Sequence, residues 1–152
     1  MPVTVNTRAA RFAAAYALLR AAADVADHWV QSDHQATTKG QHDHNEGQSS
    51  TAGRAACAAH VATYTATQAA ALLAGSRLLG VRLRPGPLAA GLALSAVTHY
   101  IADRREPLRR LADATGKANF VRLTDHGMNG AYALDQAWHH AFETAAALIV
   151  SA

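Results

Sequence analysis

Asp27, His60, His99, Asp103, Asp135 and His139 are the residues of this chain best equipped for chemistry. His99 and Asp103 stand four apart, and so do Asp135 and His139 in the reverse order. On an α-helix a spacing of four puts two side chains on one face, a turn apart. A histidine and a carboxylate so placed can hold the same ion, as paired ligands do in the cores of helical bundles. With Asp27 and His60 added, the set offers three imidazoles and three carboxylates. Such a set suits one Zn²⁺ with supporting partners, or two Zn²⁺, Mn²⁺ or Fe²⁺ ions sharing a carboxylate. The competing reading is an inert buried network in which Asp27 or Asp103 pairs with a protonated histidine or with Arg20. Burying so many ionisable groups without a use is costly.

These residues belong to four longer lines of polar side chains on Ala/Leu-rich segments. The lines are Arg20, Asp24, Asp27 or His28, and Gln31; His60, Tyr64, Thr67 or Gln68; Ser95, His99, Asp103; and Asp135, His139, Glu143. Spacings of three and four keep each line on a single helical face. His28 and His140 adjoin preferred ligands but point elsewhere. His34, His42, His44 and His126 read as solvated loop histidines, and a metal on His42-x-His44 would be adventitious.

The elements that must carry these lines are helical. Half of the 152 residues are hydrophobic but only 6% are aromatic, and Ala and Leu supply the bulk. That composition favours closely packed helices, and no alternating strand pattern is visible. The chain reads as one domain over 1–152. Helices are predicted over 7–31, 52–79 (with a break near 75–76), 88–104 and 131–152, with a short one over 107–114. Residues 32–53 read as a polar, mobile loop, and 119–130 as a loop too. The expected fold is an all-α, antiparallel, up-down-up-down four-helix bundle with a short extra helix before the fourth. In such a bundle the C-terminal ends of helices one and three meet the N-terminal ends of two and four. The six candidate ligands would then share one layer.

Cys57 is the single cysteine, so an internal disulfide is excluded, and Ala-Ala-Cys-Ala-Ala reads as a small buried apolar residue. The opening residues show no cleavable signal pattern. Residues 55–76 contain no Asp, Glu, Lys or Arg and are long enough to span a bilayer. Basic residues over 77–84 and 104–110 resemble the positive flanks of membrane helices. Membrane association is therefore expected, with a cytoplasmic location as the alternative. The same basic residues allow a third reading, a small DNA-binding regulator, but no good helix-turn-helix accompanies them, so a nucleic-acid partner is not expected.

Asp27 and Gln31, Lys39, His60, His99-x-x-x-Asp103 and Asp135-Gln136-x-x-His139 together resemble the pattern of an uncharacterised bacterial family of small four-helix membrane proteins. The resemblance runs from the first helix to the fourth. It departs in the many charges of the first helix and in Arg104-Arg105, where that family often has Lys. It implies the architecture, the membrane setting and the His/Asp site, and it carries no activity. The leading functional expectation is a metal-dependent hydrolase of an anionic or lipid-like substrate. Asp27 or Asp135 would act as base on an activated water, and Lys39 would contact an anionic group such as phosphate. A non-enzymatic metal- or proton-binding accessory or sensor is the alternative.

Overall fold

Thr7 opens the first helix by accepting a hydrogen bond from the Ala10 amide at 3.1 Å, which satisfies one of the donors a helix start leaves free. The computed structural model describes residues 7–125 and 127–152, and every regular element among them is helical. The expectation on residues 1–6 and His126 lies outside the described residues. The elements are α1 (Arg8–Val25), a π-helical turn (Ala26–Val30), α2 (Asp33–Thr38), α3 (Ser50–Leu78), α4 (Pro85–Asp103), α5 (Glu106–Ala114), α6 (Ala118–Val121) and α7 (Gly130–Val150).

Several boundaries differ from expectation for local reasons. The segment 32–53 is not simply a loop. Ser32 and Gln35 form a reciprocal capping box that starts α2. No break occurs at 75–76, and α3 runs on to Leu78. Pro85 and Pro87 stand inside the first turn of α4, where a missing N–H costs nothing. After the Thr115-Gly116-Lys117 turn, α6 amounts to a single turn, too short for a recognition helix.

Four long helices carry the packing. Contacts link α1 to α3, α3 to α4, α4 to α7 and α7 to α1. The α1 and α7 helices meet at Arg11 and Ser151 and again at Arg20 and Glu143. The α3 and α4 helices meet at Cys57 and Tyr100 and again at Gln68 and Ser95. Gly91 lets α4 come close to α7, since a β-carbon there would stand 2.8 Å from the Ala146 carbonyl oxygen. At one end the interior is apolar, built on Ala15, Leu19, Leu72, Ala146, Ala147 and Val150. Toward the other end it turns polar.

The membrane expectation is overturned: among the described residues, no helix is long and apolar enough to cross a membrane. Freedom from charge over 55–76 misled because α3 interleaves its Ala and Leu with uncharged polar residues, His60, Tyr64, Gln68 and several Thr, which lower its apolarity. The whole chain has a mean hydropathy of −0.05. The basic residues also have other work than flanking a bilayer. Arg77 donates to the Leu73 carbonyl, and buried Arg104 donates to the carbonyls of Lys39 and Gln41.

Candidate metal centre

The π-helical turn sets the first ligand. The Gln31 amide bonds back five residues to the Ala26 carbonyl at 3.0 Å, which widens the turn. Asp27 then faces inward, while Trp29 projects outward at 86% exposure. His60, one third of the way along α3, is fully buried, and His99 and Asp103 come from the last turns of α4.

Donor atoms converge in two overlapping sets, Asp27, His60 and His99 in one and His99, Asp103 and His139 in the other. His60 Nε2 lies 3.1 Å from Asp27 Oδ1, 2.9 Å from His99 Nε2 and 3.3 Å from Asp103 Oδ2. His99 Nε2 lies 3.4 Å from Asp27 Oδ1 and 3.1 Å from Asp103 Oδ2. With metal–ligand bonds of roughly 2.0–2.2 Å, neighbouring donors stand about 3.3–3.6 Å apart in a tetrahedron and about 2.8–3.1 Å in an octahedron. The observed separations fall across that window.

Hydrogen bonding alone leaves this layer unsatisfied. Two Nε2 atoms face each other, so a single proton serves both. Asp103 Oδ2, in a residue 5% exposed, meets neither imidazole along a hydrogen-bond direction and has no other partner. A buried carboxylate oxygen without a donor is costly, and a cation held beside it by the imidazoles would remove that cost. Nδ1 of His60 and of His99 also makes no protein hydrogen bond. The His99 ring is held by packing instead, between Tyr64 with centroids 3.7 Å apart and His139 at 4.4 Å.

The remaining candidates stand around this layer. His139 and Asp135 pair with each other at 3.4 Å on α7, and His139 Nε2 or Nδ1 also groups with His99 and Asp103 within ligand-sharing range. Lys39 does not stand free for an anion: its Nζ is 2.8 Å from Asp103 Oδ1, so Asp103 faces a cation on one oxygen and the imidazoles on the other. Arg104 fixes the Lys39 backbone from below. His28 and His140 are exposed, as their spacing suggested. His42 is no solvated loop residue. It donates from Nε2 to the Arg104 carbonyl at 2.9 Å, with the Arg104 guanidinium 3.2 Å from Nδ1. That guanidinium disfavours a cation on the nearby His42, His44 and Glu106 group.

The charges are arranged to keep ligands in metal-binding form. Burial works against ionising Asp27, but the His60 hydrogen bond and the His99, His139 and Lys39 charges prevail and lower its pKa. Burial opposes Asp103 in the same way, and His99 and Lys39 hold it well below the usual carboxylate range. Burial lowers the pKa of His99 and so favours the neutral imidazole a metal requires. For His139 burial also lowers, but Asp135 outweighs it and the pKa rises.

Behind the layer lies a second polar tier. Glu143, 2% exposed, accepts from Arg20 at 2.8 and 3.0 Å and from the Tyr64 hydroxyl at 3.1 Å. Gln68 donates to that hydroxyl at 3.0 Å and accepts from Ser95 at 2.8 Å. In front of the layer a cleft of about 540 Å³ opens, reaching Asp27, Lys39, Asp103, Asp135 and His139. Arg105, which precedes α5, and Arg109 within it also line the cleft; their place in the basic run 104–110 suggested a membrane flank or a nucleic-acid patch instead. A second hollow of about 570 Å³ between α3 and α4 is lined by Ala58, Val61, Ala62 and Val97 among others and carries no carboxylate, imidazole or amine.

Compared with protein-family models, with curated proteins and with solved structures, the chain matches none.

Proposed function

We propose that the chain is a divalent-metal-binding helical protein that hydrolyses an ester or anhydride of an anionic compound. Asp27, His60, His99 and Asp103 hold the ion in this reading, and Zn²⁺, Mn²⁺ and Fe²⁺ all suit a mixed imidazole and carboxylate set. The supporting observation is the set of donor separations, 2.9–3.4 Å, around an Asp103 oxygen that no hydrogen bond satisfies. The four long helices form an antiparallel up-down-up-down bundle in this reading, since residue numbers run in opposite directions through each contacting pair. That direction accounts for ligands from the π-helical turn after α1 and from α3 and α4 sharing one layer.

A bound divalent ion supplies Lewis-acid polarisation of the scissile group. The protein's own contribution is on the cleft side. Asp135 and His139 line the cleft as a pair, His139 Nε2 lying 3.4 Å from Asp135 Oδ2, and the Asp135 carboxylate can take a proton from an attacking water. The bond from that water's oxygen forms as the bond to the leaving group breaks, and the proton returns to the departing oxygen. Lys39 neutralises Asp103 and thereby orients its other oxygen toward the imidazoles.

One observation favours a second reading, a metal-binding protein without catalysis. Four protein donors can close a tetrahedron, as in structural zinc sites, whereas catalytic sites keep a position open. The cleft over the layer favours the hydrolase. Elemental analysis of protein purified without chelator tests the common part: bound metal is expected in the wild type and lost in His99→Ala, with helical circular dichroism largely kept. A His99→Ala protein with full metal content refutes the site. Hydrolysis of a generic phosphate ester by the metal-loaded wild type, abolished by chelation, separates the two readings.

A further inference from the structure

The cleft in front of the His/Asp layer contains donors that nothing in the protein uses. Gln31 Nε2 is buried on its wall and makes no hydrogen bond. Among the described residues the exposed Arg109 side chain makes no hydrogen bond or ion pair with the protein, and the exposed Arg105 side chain makes only a 3.3 Å bond to the Ala36 carbonyl. The two arginines are one turn apart at the start of α5 and line the same cleft. Lys39, by contrast, is already taken by Asp103.

Arg105 is placed there with some effort. It is the only non-glycine among the described residues with positive φ, at 58°, a conformation that costs free energy and persists only where its surroundings enforce it. Its side chain lies against Gly40, where a β-carbon would stand 2.6 Å from Nε. A glycine on one strand of backbone and a strained arginine on the other therefore accommodate each other at the cleft wall.

We infer that the cleft binds a phosphate group, as a monoester or anhydride, with Arg105, Arg109 and the Gln31 amide as its anion-recognising wall. The two exposed guanidinium groups and the unsatisfied Gln31 amide suit an oxygen-rich ligand. Guanidinium groups match the oxygens of phosphate in pairs, with a geometry an ammonium lacks. The charge balance of the cleft agrees. Lys39, Arg105 and Arg109 are offset by Asp27, Asp103 and Asp135, three against three, so a divalent ion in the layer leaves the cleft net positive and draws the anion to it. The inference names the substrate class of the proposed hydrolase and rests on that reading for the reaction. The binding itself rests on the cleft's own donors.

The test is titration calorimetry of inorganic phosphate into full-length protein, with and without Zn²⁺, beside Arg109→Gln and Arg105→Gln/Arg109→Gln variants whose metal content is measured in parallel. Losing charge-assisted hydrogen bonds should weaken phosphate binding about 10-fold or more in the double variant, with metal content unchanged. Arg109→Gln, at a site that carries no structural bond, should show part of the effect even if the double variant folds poorly. Acetate should bind more weakly than phosphate. Vesicles containing phosphatidic acid in place of free phosphate tell a lipid headgroup from a soluble ester, and arginine-dependent binding of either supports the wall. Phosphate affinity unchanged in both variants, or acetate bound as tightly, overturns the inference and leaves the metal site standing. If the wild type holds no metal, the hydrolase reading fails, and phosphate binding lost on substituting the arginines still supports this one.

Discussion

Arg20→Met isolates the tier behind the proposed metal layer. Glu143 is 2% exposed, and its carboxylate takes both short contacts of 2.8 and 3.0 Å from Arg20. Methionine keeps the length and apolar stem of arginine, so packing changes little while the carboxylate loses its cation. Removing one partner of a buried pair costs roughly 3–5 kcal/mol, because the remaining charge is left uncompensated. At about 2–4 °C per kcal/mol for a chain of this size, the melting temperature should fall by about 6–20 °C. Thermal unfolding is followed by circular dichroism in a chelating buffer, so that no ligand shifts the midpoint. Arg20→Met/Glu143→Gln keeps an acceptor for the Tyr64 hydroxyl without the orphaned charge and should recover most of the loss. The pH dependence has a definite sign. Burial already raises the Glu143 pKa above 4.5 despite Arg20, and losing the arginine raises it further. A folded state that binds more protons than the unfolded one loses stability as pH rises, so the deficit of Arg20→Met should be larger at pH 8 than at pH 5. A loss below about 1 kcal/mol, the worth of a surface ion pair, or a double variant no more stable than the single one, refutes the reasoning.

Two further outcomes follow from the site. Asp103 has its folded pKa depressed below 3.8 against burial by His99 and Lys39, so its stabilisation is present above that value and is lost as pH falls through it. In metal-free protein the stability gap between wild type and Asp103→Asn should therefore be constant and wide above about pH 5 and shrink progressively as pH falls below 3.8 toward the lower folded value; a gap that does not shrink in acid refutes it. Cys57 is fully buried, with its thiol pushed up to about 12 by burial and by Asp103, so it should react with an aromatic disulfide reagent at pH 8 only as fast as the protein opens. Reaction at the rate of a free thiol refutes that.

Much of the helical order could be read from spacing. The His99 and Asp103 interval, the Asp135 and His139 interval and the line from His60 through Tyr64 to Gln68 each encode one face of a helix, and helical geometry is local. The buried tier of Arg20, Tyr64, Gln68, Ser95 and Glu143 was likewise visible as polar residues interrupting Ala-rich segments. The Ser32 and Gln35 box that starts α2 was equally local and passed unnoticed among the polar residues of the presumed loop. Other features depend on what meets what. The π-helical turn at Ala26–Val30, which faces Asp27 inward, has no signature in residue types, since its wider turn is stabilised by the contacts it permits. Lys39 was legible as a cation but not as the partner of Asp103, because that pair spans 64 positions and is held by Arg104 on the carbonyl of Lys39 itself. The charge-free run of α3 suggested a bilayer because the absence of charge is local, whereas its alanines and the inward His60, Tyr64 and Gln68 suit helix packing. Arg105 and Arg109 read as two members of a basic run, and only the packing of α5 brings them to line the cleft that reaches the His/Asp layer. Sequence spacing determined which residues share a helical face; tertiary packing decided which faces meet, because donor separations of about 3 Å are set between chain segments and not along them.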